Sequence, residues 1–86
     1  MVNPIPIQVN YIGYLREITG VNSEFFEVKD HSLSTILGLI TTKYPTLSLN
    51  ILRCAINQKL IRPTDYATTI LKLDSDLKIL IATSGG

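Results

Sequence analysis

Cysteine and histidine are nearly missing from this chain: Cys54 and His31 are the only ones among 86 residues. One thiol closes no internal disulfide, and one thiol with one imidazole cannot assemble a metal centre from several Cys and His ligands. Charge of one sign is missing too, since 8 Lys and Arg against 7 Asp and Glu leave a formal +1. That balance offers no electrostatic footprint for nucleic acid or for an anionic membrane. No apolar run reaches transmembrane length. The start, Met1-Val2-Asn3-Pro4, has neither the basic residues nor the apolar stretch of a signal peptide. Repeats, linkers and low-complexity segments are likewise missing. The expectation is one small soluble cytoplasmic domain without nucleic-acid or membrane partners.

What is present is globular composition, with 45% hydrophobic and 17% charged residues, which argues against disorder. A chain this short buries only about 60–65% of the surface its unfolded form exposes. Little is left to build a deep substrate pocket. Participation in a reaction would therefore mean carrying a group or completing a partner's site.

The first periodic segment is Ile5-Pro6-Ile7-Gln8-Val9-Asn10-Tyr11, whose alternation reads as a half-buried strand. Tyr14 to Gly20 reads as a turn or short helical turn stopped by Gly20. Ser23 to Lys29 is a second strand, with Phe26 and Val28 inward, and pairs with the first as an antiparallel hairpin. Leu33, Ile36, Leu37, Ile40 and Tyr44 form one apolar stripe at helical spacing. Asp30 or Ser32 caps this helix, and Pro45 ends it. Thr46 to Ile51 fits either a strand or a helical turn. Leu52 to Asn57 is a third strand with Leu52, Cys54 and Ile56 inward, and Leu60-Ile61 is a short fourth. Thr69 to Leu73 brings the chain back, and Asp74-Ser75-Asp76 turns it. Leu77 to Ala82 is almost wholly apolar, as expected of a strand buried on both faces in mid-sheet.

The order ββαββ plus a final β predicts an α+β domain over residues 1–82, a mixed sheet of four to five strands covered by one main helix. With the last strand central, this is the β-grasp arrangement of ubiquitin-like proteins. Thr83-Ser84-Gly85-Gly86 follows and is expected to be a flexible tail. Such a tail reaches at most roughly 13–14 Å when extended, enough to enter a narrow cleft on another protein. Glycine, lacking Cβ, passes where other residues are blocked. A terminal glycine pair alone also fits a frayed end; its place just beyond a buried strand makes it a presented carboxylate.

The segment Tyr11-Ile12-Gly13-Tyr14-Leu15-Arg16-Glu17-Ile18-Thr19-Gly20 resembles the first-strand exit of the MoaD-type sulfur carriers, the small subunits of molybdopterin synthase. Ala55-Ile56-Asn57 is similar to that family's Ala-Val-Asn hairpin. Leu73-Asp74-Ser75-Asp76 stands where that family and the thiamine-pathway (ThiS-type) carriers often have Leu-x-Asp-Gly-Asp. With Gly85-Gly86 these features run through nearly the whole chain in order. Two positions depart from the pattern: Ile81-Ala82 stands where a proline pair often precedes the tail, and Ser75 replaces a turn glycine. Without prolines the tail is expected to be less stiff.

The resemblance implies a sulfur carrier of molybdenum or tungsten cofactor biosynthesis. An E1-like enzyme would use ATP to adenylate the Gly86 carboxylate, and a persulfide would then convert it to a covalent thiocarboxylate. Thr83, Ser84 and Gly85 would enter the partner's cleft. The implied partners are the E1-like adenylating enzyme and the synthase large subunit, in a heterotetramer, with no cofactor bound by the chain itself. Alternatives are a carrier for thiamine or tRNA thiolation, a ubiquitin-like protein modifier, and a binding module that is never activated. The chain shows no catalytic constellation of its own.

Other candidates are weaker. Cys54 has the inward phase of a core residue, and His31 sits beside a helix start with no evident partner. Arg53, Lys59 and Arg62 cluster about a hairpin, as on a solvated strand edge or against an acidic partner. Arg16 and Glu17 fit the family motif, either holding a loop or touching a partner.

Overall fold

The computed structural model describes residues 3–82. The site tail Thr83, Ser84, Gly85 and Gly86 lies outside the described residues, as do Met1 and Val2. The elements are β1 (Ile5–Tyr11), α1 (Leu15–Thr19), β2 (Ser23–Val28), α2 (Leu33–Lys43), β3 (Leu52–Ile56), β4 (Lys59–Ile61) and β5 (Leu77–Ile81). Five strands form one sheet in the order β2-β1-β5-β3-β4. β5 runs parallel to β1, with Val9 opposite Leu77 and Tyr11 opposite Ile79. All other neighbours are antiparallel. This is the ubiquitin-like β-grasp expected from the element order.

Side-chain alternation decides which face is covered. Ile7, Val9 and Tyr11 of β1, Val28 of β2, Leu52 and Cys54 of β3, and Leu77 and Ile79 of β5 are buried with Leu33, Ile36, Leu37 and Ile40 of α2. Ser32 caps α2: its backbone is extended, and its hydroxyl accepts from the Ser34 amide at 3.2 Å. Asp30 supports the cap, accepting from the Ser32 amide at 3.1 Å and the Thr35 hydroxyl at 2.7 Å. Both sequence candidates for the cap thus act together, Ser32 as the cap proper.

Three details differ from the sequence reading. β5 is buried on one face only: Leu77 and Ile79 are covered, while Lys78 and Leu80 are half-buried. One helix can cover one side of a five-stranded sheet, and the opposite side stays open. Leu49–Ile51 settles as a 3₁₀ turn. A second 3₁₀ segment, Pro63–Thr68, was not anticipated; it starts on a proline, which suits a first helical position. It carries the chain back to the Ser32–Ile70 bridge beside the start of α2.

One polar cluster ties the two layers together. Tyr11 and Tyr44 both donate their hydroxyls to Oε2 of Glu24, at 2.6 and 2.7 Å, and the Lys43 ammonium pairs with Oε1. The two tyrosine rings meet edge to face, 6.3 Å between centroids. β1, β2 and the end of α2 therefore converge on one carboxylate. Partial burial alone would raise the Glu24 carboxyl, but hydrogen bonds from Lys43, Tyr11 and Tyr44 outweigh it and hold the group below its ordinary value. A carboxylate lowered in the folded state stabilises above its unfolded pKa, and the stabilisation is lost as pH falls through the folded value. Glu24→Gln should therefore cost about 1–2 kcal/mol at neutral pH, the range of charge-assisted hydrogen bonds. The difference from wild type should shrink as pH falls below the ordinary carboxylate range, where the unfolded chain's Glu24 takes up its proton before the folded chain's does. Urea unfolding at pH 7 and pH 3 measures both, and a gap independent of pH would contradict the charged clamp.

Cys54 is fully buried under the helix layer. Burial pushes its thiol up to about 11, against the opposing effects of Tyr66 and Arg53, so it stays protonated at neutral pH. It is a core side chain and not a reactive thiolate. Cys54→Ala should lose on the order of 1 kcal/mol, read by the same urea titration; no measurable loss would contradict close packing at this point.

Candidate functional site

The site begins where β5 delivers the chain. Leu52 opposite Ile81 is the last strand pair between β3 and β5. One residue further, the Ala82 amide donates to the Ile51 carbonyl at 2.7 Å. On the other side the Ile12 amide donates to the Ile79 carbonyl at 2.9 Å. The end of β5 is therefore held from both flanks, and the tail starts from a fixed base. Thr83, Ser84, Gly85 and Gly86, the residues expected to enter a partner, follow directly in sequence.

An apolar recess of about 360 Å³ lies against this base, lined by Ile12, Gly13, Tyr14, Leu80 and Ile81. Tyr14 is 65% exposed. The loop over the recess needs Gly13, whose φ of +64° is costly for a residue with a side chain. Arg16 closes the same loop: its amide donates to the Gly13 carbonyl and its Nε to the Tyr11 carbonyl, both at 3.1 Å. Arg16 thus holds the loop at the end of β1. Glu17 is exposed, and its side chain makes no hydrogen bond or ion pair among the described residues.

The remaining sequence candidates fall elsewhere. His31 has φ of +58°; its carbonyl accepts from the Leu71 amide at 2.6 Å, and its Nε2 lies 3.2 Å from the Asn3 carbonyl. It buttresses the start of α2, far in sequence from the tail. Cys54 belongs to the core. Lys59 and Arg62 are exposed at the β4 end of the sheet, and neither is ion-paired among the described residues. Arg53 differs from both: its Nη1 donates to the carbonyls of Asn50 and Leu52, at 3.1 and 2.7 Å. The structure brings Arg53 to the tail base and leaves Lys59 and Arg62 outside that hydrogen-bond set. Sequence reasoning missed Ile12, Tyr14 and Leu80 as a recess; the signal was an apolar residue on the off phase of β5 and an aromatic directly after a glycine.

Among the described residues no group of three or more His, Cys, Asp and Glu is placed to hold a metal ion. No helix among them is long and apolar enough to cross a membrane. What the arrangement offers is a strand end held from two flanks and an apolar recess beside it.

Comparison with known proteins identifies the fold and the family. The model of the ThiS family matches residues 9–86. A molybdopterin synthase sulfur carrier subunit of Chlamydomonas reinhardtii is 34% identical over 83 residues, covering 93% of this chain and 98% of the relative. The solution structure of the Haloferax volcanii HVO 2177 protein superposes with a TM-score of 0.81 at 16% identity, over 98% of this chain and 89% of that one. That of the small archaeal modifier protein 1 of Methanosarcina acetivorans superposes with a TM-score of 0.75 at 24% identity, over 96% and 98%. The two structures share the fold, and the family match extends through the glycine pair. The chain belongs to the ThiS family, the ubiquitin-like sulfur carriers of MoaD/ThiS type.

Proposed function

We propose that this chain is the sulfur-donating small subunit of a molybdopterin synthase-like complex, carrying sulfur as a thiocarboxylate on Gly86. The observation that supports this most directly is the fixed end of β5, which holds Ala82 a few residues before the pair Gly85-Gly86. The likeness to a molybdopterin synthase carrier subunit supports the branch.

A carboxylate resists nucleophilic attack because its leaving group would be oxide. Attack by Gly86 on the α-phosphorus of ATP expels pyrophosphate and leaves an acyl adenylate, whose leaving group is AMP. A persulfide donor displaces AMP, and cleavage of the S–S bond by a thiol leaves the C-terminal thiocarboxylate. The adenylation belongs to an E1-like partner, and the synthase large subunit supplies the cleft in which the sulfur is given up. This chain's own contribution is to hold the tail root, to keep Gly85 slim beside the reacting end, and to offer the recess at Ile12, Tyr14 and Leu80 as a docking surface. The division of labour suits a domain too small for its own substrate pocket. The reading places these steps in the cytoplasm.

Deleting Gly86, or appending one residue after it, should abolish activation while leaving Tm nearly unchanged. Either change moves the carboxylate by roughly 3.3–3.6 Å relative to the platform. A misplacement of even ~1 Å can cost about a hundredfold in rate. Stability comes from contacts upstream, to which a residue without a side chain adds almost nothing. Incubation with a cognate E1-like enzyme, ATP and a persulfide donor, followed by intact mass, reads exchange of one oxygen for sulfur. High-mass lysine adducts in its place would identify a protein modifier, and an unmodified wild-type chain would identify a binding module. Normal thiocarboxylate yield on the extended variant, without trimming, would overturn the assignment of Gly86.

A further inference from the structure

The Ala82 amide is the last backbone donor before the tail, and the Ile51 carbonyl receives it at 2.7 Å. Ile51 ends a 3₁₀ turn, Leu49–Ile51, and its bond to Ala82 is the outermost rung beyond the Leu52–Ile81 pair, at the end of the β3–β5 ladder where the strand gives way to the turn. What fixes that turn is visible. The Ile51 amide donates to the Ser48 carbonyl, and the Leu52 amide to the Leu49 carbonyl. Arg53 then turns its side chain back along its own strand, and Nη1 donates to Asn50 and Leu52, the carbonyls on either side of Ile51. Among the described residues Arg53 has no carboxylate partner. The guanidinium of a half-buried residue is spent on two backbone carbonyls that bracket the one acceptor holding the tail root. Arg53 also stands directly opposite Leu80 across the β3–β5 pair, so the brace lies at the same end of the sheet as the recess.

We infer that Arg53 is a positioning residue for the sulfur-carrying tail: by bracing Asn50–Leu52 it holds the Ile51 carbonyl on the Ala82 amide and so sets where the tail leaves the platform. The inference rests on the function proposed above and adds to it. With the bond made, the chain is pinned at Ala82. With it lost, the pinned point retreats into β5, the span from that point to Gly86 lengthens by a residue or two, and the direction in which the chain leaves Ala82 is no longer set. The local concentration of a tethered end falls roughly as the −3/2 power of tether length, and a misdirected end costs more. Together these effects should slow activation by roughly fivefold.

The test is a two-by-two cycle: wild type, Arg53→Ala, Ala82→Pro and the double variant, with Arg53→Lys alongside. Proline has no amide hydrogen, so Ala82→Pro removes the bond that Arg53 is inferred to protect. Each variant is checked for folding by its Tm. Each is then assayed for thiocarboxylate formation with the cognate E1-like enzyme, ATP and a persulfide donor, and Ala82 amide exchange is followed wherever that amide exists. Arg53→Ala should lose protection at Ala82 and lower kcat by about fivefold with KM within about twofold. Arg53→Lys, which keeps a cationic donor, should recover most of both. In the Ala82→Pro background Arg53→Ala should change kcat by less than about 1.5-fold, because both substitutions break the same device. An equal Arg53→Ala effect in both backgrounds would overturn the inference. So would a raised KM with unchanged kcat and intact Ala82 protection, the signature of a direct partner contact. A wild-type chain that gains no sulfur would instead refute the carrier function itself, an outcome separate from a reactive wild type whose variants react equally well.

Discussion

The position of β5 in the centre of the sheet is the constraint from which the rest follows. It is the last strand among the described residues, yet it is hydrogen-bonded to β1 on one side and β3 on the other. Pairing the last strand in parallel with the first requires the whole chain to be in place, since contacts between residues near 10 and near 78 close the largest loop available. Once closed, that pairing fixes the C-terminal end of β5 from two flanks. A terminal strand on a sheet edge would be held by one neighbour and would fray more readily. The fold therefore converts long-range pairing into rigidity at the end of β5.

Rigidity at that end also depends on the helix layer. α2 crosses the covered face with Leu33, Ile36, Leu37 and Ile40 fully buried, and the Glu24 carboxylate ties its final turn to β1 and β2. Tyr11 is the hinge of this arrangement. Its ring packs in the core, its hydroxyl joins the Glu24 cluster, and its carbonyl accepts Nε of Arg16, which holds the loop above the apolar recess. One residue at the end of β1 links the polar clamp on one side to the recess on the other. Burial together with the hydrogen bond to Glu24 raises its phenol well above the ordinary range, so it remains a donor at any pH the protein meets.

Much of this was legible in the residues, and the exceptions share a cause. The alternation of Ile5 to Tyr11 and the stripe from Leu33 to Tyr44 gave β1 and α2 because each periodicity arises within one element. β5 was read as buried on both faces because its off-phase Leu80 is apolar; that residue faces the uncovered side and lines the recess. The Glu24 cluster joins residues 13 and 20 positions apart, and no local spacing encodes such a meeting. Pro63–Thr68 was missed because its starting proline reads equally well as a turn. The motif from Tyr11 to Gly20 and the Gly85-Gly86 end named the family, while the bracing role of Arg53 stayed hidden. Its partners are backbone carbonyls, which every residue possesses, so residue identity alone could not reveal it.

The absence of prolines before the tail takes on a different meaning in this light. Proline stiffens a chain by fixing φ, but it gives up its amide hydrogen. Ala82 keeps that hydrogen and uses it on Ile51. A prolyl root is stiff wherever it points, because the restraint is internal to the residue. A hydrogen-bonded root is stiff only while its acceptor stays in place, so the restraint is shared with the Asn50–Leu52 segment and with Arg53. A contact from elsewhere in the fold thus restrains Ala82, where a proline would restrain itself. Such a contact can be released when the neighbouring segment moves, whereas a ring cannot be opened. In this chain the orientation of the tail root becomes a property of the tertiary structure and not of the tail's own sequence.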